Sequence, residues 1–299
     1  MPADSPDLAA LLPSWQLALR AERKSPATVA SYSEGVRAFL RWCEGINVQP
    51  EITKQAVLAF TTDLLDSGAE AATARARHMA LRRFAAWLAA EGEIDDNPLI
   101  GVKPPKLDTK VISALTDDQL RRLIKACAGK QLIDRRDEAI VRLMAETGLR
   151  AGELISMQVA DLELQQGRAV IRRGKGGKGR IVPFGPQTAA ALDRYARMRR
   201  THRLGATEAF WLGGGGQTFS YAGLNKALKA RALSAGIENF HLHLMRHTAA
   251  TRWLRAGGSE GGLMNVAGWT TRSMVDRYTS ASAAERAADE ARGLNLGDL

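Results

Sequence analysis

Cysteine is nearly absent: Cys43 and Cys127 are the only two in 299 residues, far apart and without CxxC spacing. This excludes a disulfide framework and a cysteine-built zinc site, and it fits a reducing compartment. Long apolar runs are lacking too. No stretch approaches the roughly 18 residues that cross a bilayer, so no membrane partner is expected. The opening MPADSPDLAA has none of the basic-then-apolar layout of a secretion signal, and the chain is expected to stay in the cytoplasm. A Walker A loop is missing, because GKGGKGR does not follow the Gly-x4-Gly-Lys-Ser/Thr order. There is no HExxH, no long-period repeat and no low-complexity tract.

What is present is length for two cores and an uneven charge. The net charge of +10 is carried by one half of the chain. Residues 1–110 hold 13 Lys/Arg against 14 Asp/Glu, whereas residues 111–299 hold 29 against 18. Such a concentrated positive field suits a polyanion, since each neutralised phosphate releases counterions.

Periodicity divides the chain further. Leu8, Leu11, Leu12, Trp15 and Leu19 recur at helical spacing, as do Val29, Tyr32, Val36, Phe39, Leu40 and Cys43. Ser25-Pro26 punctuates the gap between them. Helices over about 53–67 and 70–91 complete a set of four. The last carries Arg75, Arg77, Arg82 and Arg83, which suit either a solvated face or phosphate contact. From 92 to 113 the pattern lapses into a Pro- and Gly-containing stretch with Lys103, Lys106 and Lys110, read as a linker. Thr116 then caps a helix, another covers about 133–147, and RAVIRRGKGGKGRIVPF reads as a β-hairpin. Helices follow at about 187–203, 220–235, 244–256, 260–267, 271–279 and 282–292.

Several patches in the basic half carry chemistry. In ETGLRAGELISM a helix breaks at Gly148 and presents Arg150, with Glu153 one turn on. The tip GKGGKGR supplies Lys175 and Lys178 as mobile charge. In HLHLMRHTAATRWL, His243 and Arg246 share a face at a helix start, where dipole and guanidinium together favour an anion. His241, His243 and His247 could supply three nitrogen ligands, but no carboxylate completes the set and Arg246 would put a cation beside the ion, so no metal is expected. In AGWTTRSMVDRYT, Trp269 precedes Tyr278 by nine residues. Singly these are ordinary. Together, two arginines can hold the non-bridging oxygens of one phosphodiester, and a lysine or histidine can protonate the leaving 5′-oxygen. Another imidazole can assist the phenol, and a tyrosine can exchange one phosphodiester for another without metal, water or nucleotide.

At this point the pattern resembles the tyrosine recombinase (phage integrase) family, in a short Xer-like form without an arm-binding domain. TGLRAGEL resembles its first box, with Arg150 as first arginine and Glu153 as supporting acid. RRGKGGKGRIVPF resembles its hairpin, placing Lys175 on the catalytic lysine ahead of Lys178. HLMRHTAAT resembles the second box and assigns His243 and Arg246; the end of that box gives Trp269 in the His/Trp slot and Tyr278 as nucleophile. Order and spacing agree over 115–280. HLMR stands where His-Asp-Leu-Arg is common, and Trp269 fills a slot more often held by histidine. AGGSEGGLMNVAGW is richer in glycine than usual, which implies a looser helix before Trp269.

The resemblance implies a mainly α fold with a small β-sheet (α+β). A four-helix core-binding domain would span 1–92, a linker 93–113, and a catalytic domain 114–299, whose tail from 282 contacts a neighbouring protomer. It implies a site-specific DNA recombinase working through a 3′-phosphotyrosine, in integration, excision or resolution of a mobile element, with no cofactor. Its partner would be double-stranded DNA with paired core half-sites, gripped by a tetrameric synapse that passes through a Holliday junction. Directionality or accessory factors would join it. Two alternatives stand beside this: type IB topoisomerase-like relaxation, and a non-catalytic DNA-binding protein.

Overall fold

A computed structural model describes residues 6–107, 114–172, 179–215 and 218–279. Lys110, Lys175, Lys178 and the expected tail helix lie outside the described residues. The chain divides into two compact units, residues 1–110 and 111–299.

Among the described residues the first unit holds four helices, α1 (Leu8–Ala21), α2 (Pro26–Gly45), α3 (Lys54–Asp66) and α4 (Ala71–Glu91). Three begin at side-chain caps: Asp7 accepts from the Ala9 and Ala10 amides, Ser25 from Thr28, and Thr53 from Ala56. Pro26 occupies the first turn of α2, where its missing N–H costs nothing. Trp15, Phe39, Phe60 and Phe84 fill the core, with the Trp15 and Phe84 rings 4.8 Å apart. Helices α2 and α4 approach closely at Gly35, where an added Cβ would stand 2.5 Å from the Ala80 Cβ. Part of the stretch read as linker belongs to this core, since Leu99 and Val102 are buried in it.

Among the described residues the second unit is helical around a three-stranded antiparallel sheet. Its helices are α5 (Asp117–Ala126), α6 (Leu132–Thr147), α7 (Ala151–Ile155), α8 (Pro186–Arg200), α9 (Tyr221–Ser234), α10 (Leu242–Arg255), α11 (Glu260–Ala267) and α12 (Ser273–Thr279). The strands β1 (Leu162–Glu163), β2 (Arg168–Ile171) and β3 (Arg180–Pro183) lie in sequence order. The expected hairpin is β2–β3, in register from Arg168 opposite Pro183 to Ile171 opposite Arg180. Strand β1 is an addition: two residues are too short to show a period. The main core lies between α6, α8, α9 and α10 and includes Ile140, Leu143, Leu192, Tyr195, Leu228 and Met245. A smaller cluster joins Leu254 of α10, Leu263 and Ala267 of α11, Trp269, Val275 and Tyr278.

The glycine-rich approach to Trp269 has a packing reason. Helix α11 runs unbroken from Glu260 to Ala267, capped by Ser259. A Cβ on Gly262 would stand 2.9 Å from the Trp253 indole, and one on Gly258 closer still. These glycines seat a tryptophan of α10, and the expected looseness gives way to close contact.

Gly35→Val should cost the first unit about 1–3 kcal/mol by overpacking against α4. Gly45→Ala, at a helical position with nothing near its added Cβ, should stabilise it by about 0.4–1 kcal/mol. Urea unfolding of the full chain reads both; equal effects would remove the packing argument.

Candidate active site

The site begins where α6 stops. Gly148 takes a left-handed conformation (φ 62°) and closes the helix with a bond to the Met144 carbonyl. The turn carries Arg150 to the start of α7, where its backbone N–H donates to Glu153 Oε2 at 2.9 Å and its Nη1 to Oε1 at 3.0 Å. Arg150 Nη2 reaches the Gly268 carbonyl at 3.2 Å. Glu153 is buried and receives a second guanidinium: Arg180 Nη1 and Nη2 donate to its two oxygens at 2.9 and 2.8 Å. Arg180 Nε donates to the Val266 carbonyl at 2.8 Å. Burial works to raise the Glu153 carboxyl, but hydrogen bonds from Arg180 and the Arg150 amide prevail and hold it below the usual glutamate range.

Arg246 approaches from α10. Its Nη1 donates to the Gly148 carbonyl and its Nη2 to the Ala267 carbonyl, both at 2.7 Å. The guanidiniums of Arg150 and Arg246 therefore fasten on successive carbonyls, 268 and 267. Arg246 is only 3% exposed; burial first, then the like charge of Arg150, pushes it down to about 10. Its guanidinium carbon lies 5.2 Å from the Trp269 ring centroid. Trp269 stacks in turn on Tyr278, with centroids 5.1 Å apart and planes at 20°.

Tyr278 is buried, and its hydroxyl meets His247 Nδ1 at 2.5 Å. His243, one turn earlier on α10 and exposed, packs edge-on against His247 at 4.4 Å. His241 does something else: its Nδ1 accepts from the Leu244 amide and caps α10. Another buried tyrosine makes a useful contrast. Tyr195 donates to the Phe210 carbonyl and accepts from the Leu212 amide, and burial pushes its hydroxyl up to about 12. It is a satisfied core phenol.

The structure thus brings together Arg150, Glu153, Arg246, Trp269, Tyr278 and His243. Sequence spacing misses two members. Arg180 opens an apolar strand run, and period two puts it on the inward face with buried Val182; that alternation is the available signal. His247 reads in the sequence only as a rejected metal ligand. In the first unit, Arg75 donates to the Pro105 carbonyl at 2.8 Å and Arg83 pairs with Glu22. Arg77 and Arg82 are half-buried on α4, while Lys103 and Lys106 are exposed. Among the described residues no helix is long and apolar enough to cross a membrane.

Comparison with known proteins agrees with this layout. Residues 113–285 match the phage integrase family, and residues 12–92 match the phage integrase N-terminal SAM-like domain. A tyrosine recombinase XerC of Haemophilus influenzae (strain PittEE) is 30% identical over 87% of this chain and 89% of its own length. The crystal structure of XerA recombinase aligns over 94% of this chain and 98% of its own, at 25% identity and a TM-score of 0.55. A lambda integrase tetramer bound to a Holliday junction aligns over 91% and 80%, with a TM-score of 0.70. At 19% identity that last likeness is one of fold.

Fold and relatives define a tyrosine recombinase, an enzyme of site-specific DNA recombination. The chain belongs to the phage integrase family. Neither the topoisomerase alternative nor the non-catalytic binder is favoured by these matches.

Replacing Glu153 by glutamine should destabilise the second unit by about 3 kcal/mol or more, because two arginines lose their charged acceptor. The pH dependence follows from the same carboxylate. Its folded pKa lies below the ordinary 4.5, so its stabilisation is present above that value and is lost as pH falls through the lowered one. Acid unfolding curves of wild type and Glu153→Gln should therefore converge only as pH falls through that lowered value; parallel curves would contradict the ion-pair account.

Proposed function

We propose that Tyr278 is the nucleophile of this recombinase and forms a 3′-phosphotyrosine with DNA. The observation that supports this reading is the convergence of Arg150 and Arg246 on neighbouring carbonyls beside the Trp269–Tyr278 stack. Two guanidiniums at one place suit the two non-bridging oxygens of a phosphodiester, and an in-line hydroxyl is then the remaining requirement. Glu153 orients Arg150. Lys175, with Lys178 as the second choice, or His243 protonates the leaving 5′-oxygen. Trp269 buttresses the nucleophile and transfers no proton. No metal or other cofactor enters the scheme.

The wider reading follows the same chemistry. Residues 1–92 form a core-binding domain, 93–113 a linker and 114–299 the catalytic domain. Arg75, Arg77, Arg82, Arg83, Lys103, Lys106 and Lys178 track phosphates along double-stranded DNA with paired core half-sites. Four protomers form a synapse and pass strands through a Holliday junction, with the tail from 282 docked on a neighbour. The substrate is a mobile element that is integrated, excised or resolved, with directionality or accessory factors as added partners. The work is cytoplasmic.

The test uses a nicked suicide duplex carrying a site recovered from random-sequence DNA by binding selection with Tyr278→Phe. In chelator and without ATP, wild type should give a denaturant-resistant protein–DNA adduct and Tyr278→Phe none. Tight binding without any adduct from wild type would overturn the nucleophile assignment. Substituting Lys103 and Lys106 by alanine should weaken binding evenly across sequences and flatten the dependence of log K on log salt by about two. An unchanged slope would remove those lysines from the phosphate track.

A further inference from the structure

The tyrosine hydroxyl of the site touches a residue outside the set assigned above. His247 Nδ1 lies 2.5 Å from Tyr278 Oη, with the two ring centroids 5.5 Å apart. We propose that His247 is a further catalytic residue, taking the phenol proton of Tyr278 as the phosphodiester is attacked and returning it on ligation. The inference rests on the reading of Tyr278 as nucleophile.

Two observations and one general requirement carry it. A neutral imidazole with its proton on Nε2 presents Nδ1 as an acceptor, and in that tautomer the phenol at contact distance is the donor. A phenol with the ordinary pKa of about 10 is almost wholly protonated at neutral pH, so an attacking tyrosine needs a base within hydrogen-bond reach. Position on the helix then separates the two histidines. His247 is half-buried against Tyr278, whereas His243 is exposed one turn earlier and meets His247 edge-on at 4.4 Å. His247 thus serves the nucleophile, and His243 or the hairpin lysine is left for the leaving oxygen. Arg246 directly precedes His247, so one helix carries both a phosphate-holding group and the base.

The step balances. Tyr278 Oη forms a bond to phosphorus while the bond from phosphorus to the 5′-oxygen breaks. The phenol proton passes to His247 Nδ1, and the 5′-oxygen takes a proton from the leaving-group acid. In ligation the 5′-hydroxyl attacks phosphorus and gives its proton back to that acid. The tyrosine–phosphorus bond breaks and the imidazolium of His247 reprotonates the phenolate.

The experiment measures adduct formation by full-length wild type, His247→Ala, His247→Asn and Tyr278→Phe on the nicked duplex described above. Each is run with an ordinary 5′-oxygen and with sulfur in its place, a leaving group that needs no acid. DNA binding is measured in parallel. His247→Ala should bind like wild type, form adduct roughly 10²-fold more slowly on both substrates, and recover in part when free imidazole is added. His247→Asn keeps an acceptor near the Nδ1 position but cannot take a proton, and should be comparably slow. Wild-type rates in either variant would overturn the proposal. So would a defect repaired by the sulfur leaving group, which would put His247 on the other side of the phosphorus, or a defect that imidazole leaves untouched, which would mark a packing role. An adduct that survives in Tyr278→Phe would instead show that the nucleophile assignment itself had failed.

Discussion

The carboxylate of Glu153 is the point on which the second unit's site depends. Its two oxygens receive the Arg150 amide, one Arg150 guanidinium nitrogen and both terminal nitrogens of Arg180. A single buried acid thereby ties α7 to strand β3. Through Arg180 Nε and Arg150 Nη2 it also ties both to the carbonyls of Val266 and Gly268, at the end of α11. Charge-assisted and bidentate bonds of this kind are directional, so they fix orientation as well as proximity. Arg246 then completes the frame from α10 by reaching Gly148 and Ala267.

This arrangement leaves positive charge in excess. Arg150, Arg180 and Arg246 converge around one carboxylate, and burial already weakens the hold of Arg246 on its proton. Such a site is poorly satisfied by carbonyls alone. An anion with two equivalent oxygens restores the balance, which a phosphodiester has and a neutral substrate lacks. The two buried tyrosines make the same point from the other side. Tyr195 is closed off by backbone partners on both sides of its hydroxyl, while Tyr278 meets a titratable imidazole beside the arginines.

Much of this is legible in the amino-acid sequence. The helices of both units follow from period and caps, because Asp7, Ser25, Thr53 and Thr116 each satisfy exposed amides that the chain would otherwise leave unpaired. Joint spacing picks out Arg150, His243, Arg246, Trp269 and Tyr278, although each alone is ordinary. What spacing does not carry is contact across elements. Arg180 meets Glu153 from 27 residues away, and only the β2–β3 register aims it inward. His247 resembles a metal ligand because three histidines within seven residues invite that reading, but His241 is spent on the cap of α10. The glycines before Trp269 suggest slack, since sequence shows their freedom and not the Trp253 indole they admit.

The tryptophan in a slot more often filled by histidine fits the same logic. Arg246 and His247 are neighbours on α10, yet the helical turn between consecutive residues sends one toward Gly148 and the other toward Tyr278. Trp269 meets the guanidinium of the first at 5.2 Å and stacks on Tyr278 at 5.1 Å, so the path from 246 through 269 and 278 returns to 247. The broad indole surface reaches both ends of that path. The ring links the guanidinium proposed to hold phosphate with the hydroxyl proposed to attack it. Trp269 thus packs between the two groups, and its indole has no group that relays a proton.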